Sequence, residues 1–141
     1  MLRLPEKQEK VWRMISEGLS QKDISEILGI TKQAVSQYCR QAREKLATIF
    51  ITIAKILDLD IHKLSTERGI LIGRCRQIDK RVFVFYIPGS GPIALFEDAL
   101  NTKLDIGTSS LIYLIDYFKQ KCKCNSIRRV LEYAIAYAEK S

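Results

Sequence analysis

The sequence predicts an α+β fold that is mainly α: an N-terminal helix-turn-helix with a long third helix, then a small antiparallel β-hairpin or sheet flanked by C-terminal helices. Three observations lead to this fold class. Two helical patterns end at glycines, and a third runs on without Gly or Pro. A stretch rich in Ile, Val, Phe and Tyr follows, and two amphipathic segments come last. We expect two domains, residues 1–58 and 59–141.

The first helix has a clear beginning and end in the sequence. Pro5 is tolerated in a first helical turn, where its missing N–H costs little. Glu6 and Glu9 place negative charge in that turn, where the helix dipole favours it. Gly18 ends the helix, because glycine readily takes the left-handed conformation of a helix C-terminus.

The next two helices are delimited in the same way. Ser20 is a preferred N-cap residue for the second helix, and Gly29 ends it. Thr31 caps a third helix, which we place at about residues 31–57. The sequence Asp58-Leu59-Asp60 is expected to break it.

The middle of the chain changes to strand character. Residues 69–77 and 81–87 are rich in β-branched and aromatic side chains and predict a hairpin, with Asp79-Lys80 at its turn. Residues 93–96 predict a third short strand. Two amphipathic helices are then expected, at residues 109–121 and 126–140.

The segment 21–38 matches the packing pattern of a helix-turn-helix. Ser25 is small where the two helices cross closely, and Gly29 supplies the positive φ of the tight turn. Val35 and Tyr38 would bury the inner face of the second motif helix, the recognition helix. Since each position has a packing reason, the pattern predicts a module that binds double-stranded DNA.

The outward positions of the recognition helix predict the DNA contacts. In this motif the recognition helix lies in the major groove, and its N-terminal residues reach base edges. Gln pairs with adenine and Arg with guanine through two hydrogen bonds, so we expect base contacts from Gln33, Gln37 and Arg40. Phosphate contacts are expected from Lys22, Thr31, Lys32, Ser36 and Arg43. The alternatives are a merely solvated polar face or a protein-interaction module, which the excess of donors over acids disfavours.

Five short segments carry a family resemblance: Leu4-Pro5-Glu6-Lys7-Gln8, Gly18-Leu19-Ser20-Gln21, Leu28-Gly29-Ile30-Thr31-Lys32, Val35-Ser36 and Ala42-Arg43-Glu44. They resemble the archaeal Tfx-type DNA-binding proteins and, more broadly, the LuxR and sigma-factor region-four class of helix-turn-helix. The resemblance covers about residues 4–48 and implies sequence-specific DNA binding and transcriptional regulation in an archaeon. Pro5 stands where the family usually has Thr, and Gln33-Ala34 replaces its usual pair, so the target sequence does not carry over.

An apolar stripe on the third helix repeats at alternating steps of four and three, which is a heptad pattern. We interpret it as the seam of a homodimer that sets two recognition helices on two half-sites. A single small module buries less surface than the roughly 1,000–2,500 Å² of specific protein–DNA interfaces. The alternative is packing against the protein's own helices and C-terminal domain. The expected seam residues are Leu46, Ile49, Ile53 and Ile56.

The remaining polar clusters predict neither a metal site nor a catalytic one. One residue separates Cys122 from Cys124, whereas structural zinc sites usually have two to four between paired cysteines. We expect reduced thiols, with a disulfide as the weaker alternative. His62 is expected to cap or pack. No nucleophile–base–acid set is visible, so we expect no enzymatic activity, no cofactor and no metal.

Basic side chains also cluster around the predicted hairpin, at Arg74, Arg76, Lys80 and Arg81. They would form either a phosphate-touching wing, an anion site or a solvated strand face protected by charge, and we expect the last.

The charge balance favours a polyanionic partner. The formal net charge is +7 and the pI is near 9.3. The start lacks a signal-peptide pattern, and no apolar run approaches the ~20 residues of a membrane helix, so we expect a cytoplasmic protein without a membrane partner. We expect a sequence-specific regulator of transcription whose C-terminal domain dimerises, senses a small ligand or contacts the transcription machinery. A sigma-like adaptor with only non-specific DNA binding is the competing hypothesis.

Overall fold

The computed structural model describes residues 2–97 and 109–140. Three helices come first, then four strands, then two helices, which confirms the predicted α+β class. The elements are α1 (Glu6–Ser16), α2 (Gln21–Leu28), α3 (Lys32–Ile56), β1 (Leu59–Ser65), β2 (Ile70–Cys75), β3 (Lys80–Ile87), β4 (Gly91–Phe96), α4 (Ser109–Cys122) and α5 (Ile127–Lys140).

The predicted helix ends are confirmed because they depend on local chemistry. The Ser20 hydroxyl accepts a hydrogen bond of 3.1 Å from the Asp23 N–H, and Thr31 accepts one of 3.0 Å from the Ala34 N–H. Gly29 ends α2 in the left-handed conformation, with φ of 66°. These caps fix where α2 stops and where α3 starts.

The sheet is an antiparallel meander in the order β1-β2-β3-β4. Its first strand was not predicted. Asp58 takes a left-handed conformation with φ of 52°, and the chain turns there directly from α3 into β1. Most side chains of this edge strand are exposed, and its register shifts between Ile61 and Lys63. A bulged edge strand with charged side chains lacks the apolar alternation from which strands are recognised.

Helices cover both faces of the sheet. On β3, Val82, Val84 and Tyr86 point to the face that packs on α1 and α3. The alternate residues Phe83 and Phe85 point to the opposite face, which packs on α4 and α5. The molecule therefore has three layers, with β3 buried on both sides.

The apolar stripe of α3 lies in the chain's own core, which corrects the expected dimer seam. Leu46, Ile49 and Ile53 are 0%, 2% and 8% exposed and pack in one cluster with sheet residues such as Val84. Of the four seam residues only Ile56 is exposed, at 70%. A heptad pattern indicates that a stripe of a helix is buried, but it does not indicate which surface covers that stripe. Here the protein's own sheet covers it. The division at residue 58 stays a prediction, although this core draws side chains from both sides of it.

The expectation of reduced thiols is wrong for two of the four cysteines. Cys122 and Cys124 form a disulfide at the end of α4, whereas Cys39 and Cys75 are free and buried. Within the described parts of the chain, no helix is long and apolar enough to cross a membrane, and no group of three metal-ligating side chains occurs.

Candidate nucleic-acid interface

A small core of its own fixes the angle between α2 and α3. Val11 from α1, Ile24 from α2, and Val35 and Cys39 from α3 are at most 7% exposed and form one cluster. Around it lie the partly buried residues that the motif pattern assigned to packing, Tyr38 among them. The burial confirms the packing side of the helix-turn-helix pattern and leaves the other side of α3 in solvent.

The three residues predicted to contact bases form one exposed stripe. Gln33, Gln37 and Arg40 are spaced by four and three residues, so they share a face of α3. All three are exposed. Nothing in residues 2–97 or 109–140 holds their side chains in a hydrogen bond or an ion pair. Each amide or guanidinium is therefore available to a partner, and base contact itself stays a prediction.

The residues predicted to contact phosphates differ in their exposure and in the contacts that they already make. Lys22, Lys32 and Ser36 are exposed. The Thr31 hydroxyl caps α3 as an acceptor, so its hydrogen remains available for donation. Arg43 is half-buried and forms an ion pair of 3.5 Å with Glu67. Exposed ion pairs of this kind contribute roughly 0–1 kcal/mol, so a phosphate group is able to replace the carboxylate.

The start of α3 favours an anion electrostatically. Its first turn holds no acidic residue. The unpaired N–H groups of a helix N-terminus carry partial positive charge, which adds to that of Lys32.

Three of the four basic residues of the hairpin are paired with carboxylates, as the strand-face interpretation expected. The ion pairs are Arg74 with Asp79 at 2.7 Å, Arg76 with Asp58 at 3.5 Å, and Arg81 with Glu139 at 3.2 Å. Lys80 also has an interaction partner. These ion pairs are those of a solvated strand face protected by charge.

A hydrogen-bond network around Tyr86 holds the helix-turn-helix on the sheet, and nothing in the sequence indicates it. The Tyr86 hydroxyl accepts from the Leu4 N–H at 2.9 Å and donates to the Glu9 carboxylate. That carboxylate also accepts from the Gly89 N–H at 2.7 Å and pairs with Arg3 at 3.3 Å. Burial, followed by the Glu9 hydrogen bond, raises the pKa of Tyr86 to about 12. In the sequence, Tyr86 does not differ from the other aromatic residues of the predicted strand, because its hydrogen-bond partners lie far away in the chain.

One comparison with known proteins agrees with this geometry. Residues 1–46 match the family model of sigma-70 region 4. The region 4 match covers α1, α2 and the first part of α3, so it includes the whole exposed stripe. This supports a DNA-binding helix-turn-helix and does not extend to the sheet or to the C-terminal helices. No curated protein and no solved structure matches the chain.

Proposed function

We propose that this protein is a transcriptional regulator that binds double-stranded DNA sequence-specifically by placing the start of α3 in the major groove. The main support for this proposal is the stripe of Gln33, Gln37 and Arg40, whose side chains are exposed and unpaired among the described residues. The opposite face of the same helix is packed in a core. A helix fixed in this way presents the three side chains without having to order its backbone on binding.

The chemistry of the stripe supports base reading. Gln donates to and accepts from adenine, Arg donates twice to guanine, and each good bidentate pair is worth about 1–3 kcal/mol of discrimination. Lys22, Lys32 and Ser36 flank the stripe and are placed to bind phosphates, which would set the register of the helix on the duplex. The resemblance to archaeal Tfx-type proteins favours the same role.

The second candidate is a sigma-like adaptor that contacts the transcription machinery and binds DNA only non-specifically. The match of residues 1–46 to sigma-70 region 4 is compatible with this function as well. The two functions differ in sequence preference. A regulator binds its site about 10³-fold or more tightly than bulk DNA, whereas an adaptor would show only the salt-sensitive phosphate contribution.

A homodimer remains part of the proposal, with a different contact surface from the one that the heptad pattern indicated. On the edge strand β1, Ile61 and Leu64 are exposed. Two copies joined at such a surface would place two recognition helices on a pseudo-palindromic site.

Selection from a randomised duplex library tests the proposal. We expect a recovered motif with two half-sites about 10 base pairs apart for a dimer, or one half-site for a monomer. The double variant Gln33→Ala, Gln37→Ala should bind unselected duplex as the wild type does but lose the selected motif. Failure to recover any motif, together with affinity that depends only on salt, would support the adaptor.

A further inference from the structure

A cleft of 680 Å³ lies where the DNA-binding motif meets the C-terminal helices. Ile15 and Ser16 of α1 line its motif side. Basic and aromatic side chains make up most of the remaining wall: Arg43, Arg68, Lys121, Tyr133 and Tyr137. The volume falls within the roughly 300–1,000 Å³ of small-molecule sites.

The charge of the cleft is positive. Its three cations face one carboxylate, that of Glu67, which pairs with Arg43 at 3.5 Å. In the ranges 2–97 and 109–140 no carboxylate lies within ion-pair distance of Arg68 or Lys121. An anion entering the cleft would therefore meet two cations that are not paired with any carboxylate of these described residues.

These two cations rest on tyrosine rings. The Arg68 guanidinium lies 4.9 Å from the centroid of Tyr137, and the Lys121 ammonium lies 4.5 Å from that of Tyr117 and 5.3 Å from that of Tyr137. A cation–π contact at an exposed site is weaker than a charge-assisted hydrogen bond to a phosphate. A phosphate would therefore draw both cations towards itself and uncover the aromatic faces.

The uncovered faces suit a flat ring. Tyr133 and Tyr137 are stacked, with an interplanar angle of 18° and centroids 6.5 Å apart. Nucleobases stack on aromatic side chains largely irrespective of the base. Duplex DNA fits less well, because its bases are paired inside the helix and its convex backbone does not enter a recess.

We propose that this cleft binds a nucleoside diphosphate, with the phosphates among Arg43, Arg68 and Lys121 and the base against Tyr133 and Tyr137. The proposal goes beyond DNA binding, and the ligand is measurable without DNA. One consequence rests on the proposed function: Arg43 is also in the predicted phosphate set for DNA, so the bound ligand competes for that side chain and weakens DNA binding.

Calorimetric titration of the full chain with ADP, GDP, CDP and UDP tests the site. Adenosine supplies the ring without the anion, and pyrophosphate supplies the anion without the ring. We expect at least one diphosphate to bind about tenfold or more tightly than either fragment. Absence of binding by all four diphosphates, or equal binding of pyrophosphate, would overturn the proposal.

Exposed-residue variants locate the site without threatening the fold. Arg68→Gln and Lys121→Gln should each weaken the diphosphate about tenfold. The matched control is Arg129→Gln, which removes the same charge from α5 outside the cleft and should leave the affinity unchanged. Equal losses in the control would mean general electrostatics. If the two cleft variants bound duplex DNA more weakly and the wild type bound no diphosphate, Arg68 and Lys121 would be assigned to contacts with the DNA backbone instead.

The regulatory consequence has its own measurement. DNA affinity of the wild type should fall when the diphosphate is saturating, and Arg68→Gln should suppress that fall at the same diphosphate concentration. If the protein binds the diphosphate but binds no specific DNA, the proposed function fails while the site stands.

Discussion

The indole Nε1 of Trp12 donates a hydrogen bond of 2.8 Å to the carbonyl oxygen of Thr66, which joins α1 to the turn between β1 and β2. The same indole meets Tyr86 edge-to-face, with centroids 5.6 Å apart. Together with the Tyr86 hydroxyl network, these contacts hold the DNA-binding motif in one position on the sheet.

Gly69 should be required for this docking. A Cβ at Gly69 would lie 2.8 Å from two atoms of the Trp12 ring, whereas a Cβ at Gly18 would meet nothing within 4 Å. Both glycines have positive φ, so alanine is strained by about 1–2 kcal/mol at either position. We expect Gly69→Ala to cost about 1–3 kcal/mol more than Gly18→Ala in urea unfolding. Equal losses would mean that the indole moves aside without cost.

Tyr86 should make stability depend on alkaline pH. Tyr86→Phe leaves the buried Leu4 N–H without its partner and should cost about 1–3 kcal/mol at neutral pH. The raised pKa means that the folded state keeps the phenol neutral while the unfolded chain ionises it near the ordinary value of 10.0. The wild-type advantage is therefore complete below pH 10 and declines towards pH 12, by roughly 3 kcal/mol at most.

Urea titrations of the wild type and Tyr86→Phe across this pH range measure that advantage directly. The phenylalanine variant carries every other titrating group, so it cancels the contributions of the lysines and remaining tyrosines. A difference between the two proteins that stays constant from pH 9 to pH 12 would contradict the predicted ionisation.

The α3 stripe should stabilise the monomer itself. Ile49→Ala removes a side chain that is 2% exposed and should cost about 2–5 kcal/mol, whereas Ile56→Ala, at a position 70% exposed, should change stability by less than about 0.5 kcal/mol. The urea midpoint should depend on protein concentration to the same degree in Ile49→Ala as in the wild type, because Ile49 packs within one chain. A weaker concentration dependence in Ile49→Ala would instead place this side chain in a contact between two copies.

Arg40 and Lys32 should separate base reading from phosphate binding. We expect Arg40→Ala to weaken the selected site by about 1–3 kcal/mol and to change random duplex much less. Lys32→Ala should weaken both duplexes alike and lower the salt dependence by about one phosphate contact. Fluorescence anisotropy across a salt series measures both. Similar losses on the two duplexes for Arg40→Ala would remove Arg40 from the base-reading set.

The sequence predicted those features that are decided within a few residues. The caps at Ser20 and Thr31, the left-handed Gly29 and the outward stripe of α3 all depend on neighbours one or two turns away. For this reason the helix-turn-helix and its exposed face were predictable before any tertiary contact was known.

Features decided by distant partners were not predictable. The periodicity of α3 indicates that Ile49 is buried but not which residues cover it. A seam between two copies and a core within one chain therefore produce the same sequence pattern. The apolar residues of β1 do not alternate regularly across its bulge, and the strand forms because β2 supplies its hydrogen bonds. The cleft near Tyr137 combines residues from α1, α3, the β1–β2 turn, α4 and α5, which no local pattern links.

Since β3 gives alternate side chains to two cores, the helical layers on either side of the sheet lose their support together. Heat, protease or a substitution beneath α4 and α5 should therefore disable the DNA-binding motif, although that motif lies across the sheet. A genetic screen for lost operator binding should recover substitutions at Phe85 as readily as at Val84. The phenotype alone would not tell the two faces apart.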